Sequence, residues 1–94
     1  MENLPPATAQ DEARAVIFYT RPGCHLCDRI RPRVAALAAE YGTPMHVRNV
    51  EDDDRWEQQF GTQIPVVFVG DTKACKYRLD ESRLRRLLGD LTRP

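Results

Sequence analysis

The chain has 94 residues, with 14 lysines and arginines balancing 14 aspartates and glutamates, so its formal net charge is zero. That length suits one domain with a single core, and the charge balance gives no electrostatic reason to expect a nucleic-acid or acidic-membrane partner. The longest apolar runs, AVIFY and VAALAA, fall far short of the roughly 20 residues that cross a bilayer. The N-terminal stretch MENLPPATAQDEARA carries acids and lacks the apolar centre of a secretory signal. A cytoplasmic location is expected, and three cysteines, an odd number, do not suggest a disulfide framework.

Residues 1–13 read as a loose polar tail, and 14–91 as the domain. Ala15 to Tyr19 is a continuous apolar run of the kind that forms a strand buried on both faces. Pro22 and Gly23 break it. From Cys24, the residues Cys27, Ile30, Val34, Leu37 and Tyr41 keep a helical rhythm that Gly42 stops. Met45 to Val50 alternates in part and predicts a half-covered strand, with Met45 and Val47 set against His46 and Arg48. The acids Glu51 to Asp54 suit the positive end of a short helix that carries Trp56 and Phe60 as packing residues and ends at Gly61. IPVVFVG is a second buried strand, entered through Pro65 and left through a Gly70-Asp71 turn, with Ala74 to Arg78 returning as its hairpin partner. Asp80 caps a last helix whose Leu84, Leu87, Leu88 and Leu91 form one stripe. The order β-α-β-α-β-β-α implies one small mixed α/β sheet with helices on its faces. The clusters Arg29, Arg31, Arg33 and Arg83, Arg85, Arg86 read as solvated helix faces.

The chemistry concentrates in RPGCHLCDRIRP, residues 21–32. Cys24 follows a turn and opens a helix, where free backbone N–H groups and the helix dipole favour a thiolate. The dipole contributes only about 0.3–1 kcal/mol at an exposed site, under one pKa unit. Arg21, His25 when protonated, and the second thiol are candidates for lowering it further. Cys27 lies one turn on, on the same side, within reach of a mixed disulfide formed at Cys24. Pro32 denies a hydrogen bond to the Asp28 carbonyl and is expected to kink the helix. Three readings stay open: a redox centre, half of a metal site, or two inert core cysteines. A zinc site needs four ligands, and only Cys75, His25 and His46 are left to complete one, so no metal is expected. Cys75 is expected opposite about Val66, as a buried inert cysteine or, alternatively, an auxiliary redox thiol.

FYTRPGCHLC, the proline eight residues after the first cysteine, and QIPVVFV resemble the thioredoxin superfamily. The short chain is most similar to its small glutaredoxin-like family over Ala15 to Leu88. The resemblance implies a thioredoxin-like, four-stranded mixed sheet flanked by three helices, and a thiol–disulfide oxidoreductase with Cys24 as nucleophile and Cys27 as resolving thiol. It further implies a cis Ile64-Pro65 bond facing the cysteines, with the Ile64 backbone placed to pair with an extended substrate, and Arg21 as a site for a glutathione carboxylate. His25 is a candidate for tuning Cys24. Glutathione users carry a Gly-Gly and an acid after the hairpin. Here ACKYRLDE stands in that place, and only Asp80 offers a carboxylate. Unlike thioredoxins, this chain has His25-Leu26 between the cysteines and Phe18 where a buried acid would lie. The expected partners are a disulfide-bearing protein or small thiol, with glutathione or a reductase recharging a monomer that holds no bound cofactor. The other readings are a non-enzymatic binding module that uses the strand edge near Pro65, and metal or iron–sulfur carriage through the cysteine pair.

Overall fold

A computed structural model of the protein describes residues 12–93. The elements are β1 (Val16–Thr20), α1 (His25–Glu40), β2 (Met45–Asn49), a 3-10 turn (Val50–Asp52), α2 (Asp54–Phe60), β3 (Val66–Val69), β4 (Thr72–Lys76) and α3 (Glu81–Thr92). Most of the expected N-terminal tail lies outside the described residues, but Glu12 is within them and forms an ion pair with Arg48 of β2.

The strands form one mixed sheet in the order β2-β1-β3-β4. β1 runs parallel to β2 and antiparallel to β3, and β3 pairs antiparallel with β4. β1 is central and almost wholly buried, which explains why it reads as an unbroken apolar run. Its alternate residues feed two cores. Val16 and Phe18 join Val67, Val69, Val34, Leu37, Leu84 and Leu88 beneath α1 and α3. Ile17 and Tyr19 join Val66, Phe60 and Val50 on the α2 side. There the Tyr19 ring meets Phe60 at 4.4 Å and Trp56 at 5.8 Å between centroids, so the two aromatics of α2 pack as the sequence suggests.

Several local details differ from the sequence reading. β2 is an edge strand, and Val47 is left 38% exposed, because strand alternation here lies beyond the cover of the helices. Glu51 and Asp52 belong to the 3-10 turn, and only Asp53 caps α2, accepting the Arg55 N–H at 2.8 Å. Hydrogen bonds from Arg55 hold the Asp53 carboxyl down at about 2. The Gly70-Asp71 hairpin forms with Val69 opposite Thr72, and a register shift between Val67 and Phe68 sets Cys75 opposite Val67, within one residue of the expected position. Arg29, Arg31, Arg33 and Arg86 are exposed, but Arg83 and Arg85 are half-buried, and the ion pairs of Arg33 with Glu81 and of Arg85 with Glu40 at 3.1 Å tie α1 to α3. α1 continues through Pro32, which lies on an exposed part of the helix beside Arg31 and Arg33.

Candidate active site

The site begins where β1 ends. Gly23 takes φ +82°, a backbone that other L residues rarely adopt, and the chain folds back so that the Cys24 N–H donates to the Arg21 carbonyl at 3.2 Å. Cys24 then caps α1 in an extended conformation, and its Sγ accepts the Cys27 N–H at 3.2 Å. A donor fixed on that sulfur favours its anionic form when the pair is reduced. Cys24 is half-buried at the surface, whereas Cys27 is fully buried. Their Cα atoms lie 5.2 Å apart and the sulfurs are joined as a disulfide. His25 and Leu26, between them, are exposed.

The second segment expected at the site is the start of β3. The Ile64-Pro65 bond is cis and Pro65 is buried, while Ile64 is half-buried and packs on both cores. Among the described residues, neither the N–H nor the C=O of Ile64 enters a backbone hydrogen bond. Extending the strand register by one residue sets Thr20, Pro65 and Tyr77 in a row across β1, β3 and β4, at the end of the sheet from which the cysteine loop emerges. Arg21 lies on that loop, but its guanidinium is engaged. Nη2 donates to the Glu57 carboxylate at 2.7 Å and to the Gly61 carbonyl at 3.0 Å, and Nη1 lies 3.7 Å from Glu51. Glu57 is 36 residues from Arg21 in sequence, so no local motif reveals it.

Cys75 belongs to the same core as Cys27. Burial pushes its thiol pKa up, so the neutral thiol is favoured at ordinary pH. Among the described residues no three His, Cys, Asp or Glu side chains gather where a metal ion would bind, and no helix is long and apolar enough to cross a membrane.

A surface sulfur capping a helix, bonded to a buried sulfur one turn on, and a cis-proline entering the adjacent antiparallel strand of a four-stranded mixed sheet together define a thioredoxin-fold protein with paired cysteines. The chain belongs to the glutaredoxin-like domain family (DUF836), whose profile matches residues 15–89. It is 31% identical over 75 residues to the uncharacterized proteins Rv0508 of Mycobacterium tuberculosis H37Rv and Mb0520 of Mycobacterium bovis, covering 74% of this chain and 77% of each relative. Among solved structures it is similar to protein Ne2328 from Nitrosomonas europaea (TM-score 0.66, 24% identity, 89% of this chain and 94% of that one). It is also similar to XcR50 from X. campestris (TM-score 0.62, 28% identity, 81% and 97%). Thioredoxin 1 from Thermosipho africanus shares the fold at 14% identity (TM-score 0.62, 81% and 91%). Fold, family and cysteine pair together point to redox chemistry.

Proposed function

We propose that the protein is a thiol–disulfide oxidoreductase acting on disulfides of proteins or small thiols. The observation that carries this reading is the asymmetry of the pair: Cys24 is half-buried at a helix end and Cys27 is fully buried one turn behind it. In the reduced protein the Cys24 thiolate attacks a substrate disulfide and forms a mixed disulfide, and one substrate sulfur leaves as a thiolate with the bond's electron pair. The Cys27 thiolate then attacks the Cys24 sulfur, closes the internal disulfide and expels the second substrate thiolate. Two electrons pass to substrate, and an external thiol or reductase must return them.

Ile64 supplies free backbone groups for an extended substrate segment, and Pro65 forms the wall that brings the segment against Cys24. His25 lies beside Cys24 as a tuning group. Arg21 serves a substrate carboxylate only by giving up Glu57. That competition favours a protein disulfide over glutathione as the substrate, with glutathione or a reductase as the recharging partner. The protein acts as a monomer in the cytoplasm.

The test compares reduction of a model disulfide by the wild type and by Cys24→Ser and Cys27→Ser. Cys24→Ser is expected to abolish it. Cys27→Ser is expected to stop at a mixed disulfide whose mass identifies the adduct. Equal activity of wild type and Cys24→Ser would overturn the reading. Stoichiometric zinc or iron–sulfur colour in protein purified without added metal would replace it with metal carriage.

A further inference from the structure

Tyr77 is unusual twice over. It is the one non-glycine residue with positive φ among the described residues, at φ 68°, and it is one of three large apolar side chains left exposed, at 49%. An aromatic residue in the left-handed region is an outlier that its surroundings must hold in place. Here the holding contacts are specific. The Tyr77 N–H donates to both the Pro65 carbonyl at 3.0 Å and the Gln63 carbonyl at 3.2 Å, which fixes it to the segment that leads through the cis-proline into β3. At a strand spacing of about 4.8 Å, Tyr77 stands about 10 Å from Thr20 across β3, within the footprint of a short peptide.

Aromatic burial does not account for this placement, because the ring is half in solvent and belongs to neither core. Its immediate chain neighbours are basic. Lys76 Nζ lies 5.6 Å from the ring centroid, Arg78 follows it, and neither forms an ion pair among the described residues. Across the site, by contrast, Arg21 is neutralised by Glu57. Leu26, exposed at 39% between the two cysteines, adds a second apolar contact at the opening of α1.

We propose that Tyr77 is a specificity-determining residue of this site. Its ring receives an apolar side chain next to the cysteine of an acidic substrate segment. The proposal rests on the disulfide-exchange reading above and names the class of protein substrate that this reading leaves open. Strained backbone is kept at Tyr77 because it presents the ring at the substrate end of the sheet, and Lys76 and Arg78 supply the complement to the acidic flank.

The test is an equilibrium competition. Reduced Cys27→Ser protein is charged at Cys24 as a mixed disulfide, then equilibrated with two peptide thiols that share an acidic residue and differ only in Leu or Gly beside the cysteine. Each exchange forms one Cys24–peptide bond and releases one thiol, so no oxidant is consumed. Mass spectrometry reads the adduct ratio at Cys24. With Tyr77, and with Tyr77→Phe, the Leu adduct is expected to exceed the Gly adduct by about three- to tenfold, as one aromatic contact allows. With Tyr77→Gly, a residue that suits φ 68° and should fold at least as well, the ratio is expected to approach one. Tyr77→Asn, which also tolerates that backbone, serves as the second ring-free variant. A ratio near one with Tyr77 present, or an unchanged ratio in both ring-free variants, would overturn the proposal. Because the exchange needs only the Cys24 thiol, the ratio is read whether or not the wild type turns over a disulfide, so the two proposals fail separately.

Discussion

Two of the three sulfurs differ in chemistry because of their surroundings. Cys24 sits at a helix end, accepting a backbone N–H and open to solvent on one side. Cys75 sits on β4, 8% exposed, where burial raises its pKa above the ordinary thiol value near 9.0. A neutral thiol is both the weaker nucleophile and the harder one to reach. In the folded protein, then, alkylation of Cys75 by iodoacetamide is expected to be slow at pH 8 and still accelerating above pH 9. The linkage sign follows: the unfolded chain ionises this thiol first, so the stability it contributes is complete below the unfolded pKa and lost as pH rises through the folded one. Rate against pH, followed by mass at Cys75, decides it. A plateau at or below pH 9 would show an ionised, accessible thiol and revive an auxiliary redox role.

At the scale of elements, each helix is fastened at its N-terminus by a side chain: Cys24 on α1, Asp53 on α2 and Asp80 on α3. α3 earns its place through a stripe in which Leu84 and Leu88 are fully buried and Leu87 and Leu91 half-buried. Leu88→Ala is therefore expected to destabilise the fold by about 2–5 kcal/mol, since the surrounding core relaxes only partly into the cavity. Thermal unfolding followed by circular dichroism measures it, and a loss below about 1 kcal/mol would place α3 outside the core. This stripe was legible in the sequence, as were β1, β3 and the Gly70-Asp71 hairpin, because apolar periodicity and turn chemistry are local signals. The 3-10 turn at Val50–Asp52, the exposure of Val47 and the bulge beside Phe68 depend on which strand lies at an edge, and so were not. The site divides in the same way. Cys24, Cys27 and Pro65 stand out by type and spacing, whereas the Arg21–Glu57 contact and the backbone of Tyr77 arise only when distant segments meet.

For the molecule as a whole, the proposed chemistry requires both redox states to stay folded. The structure shows the oxidised state, with a disulfide spanning a sequence separation of only 3. A loop that short removes little freedom from the unfolded chain, and extrapolating the chain-entropy relation gives about 2 kcal/mol of stabilisation. Domains of this size hold about 5–15 kcal/mol in all, and Cys27 is one buried member among many apolar side chains in the two cores around β1. The dithiol form is therefore expected to unfold cooperatively, with a Tm on the order of 10 °C below that of the disulfide form. Far-ultraviolet spectra should match at 25 °C. Thermal scans with and without a phosphine reductant measure the difference. If reduction abolished the cooperative transition, the Cys24–Cys27 bond would be a structural staple, and a protein that must pass through its dithiol at every turnover could not be built on it.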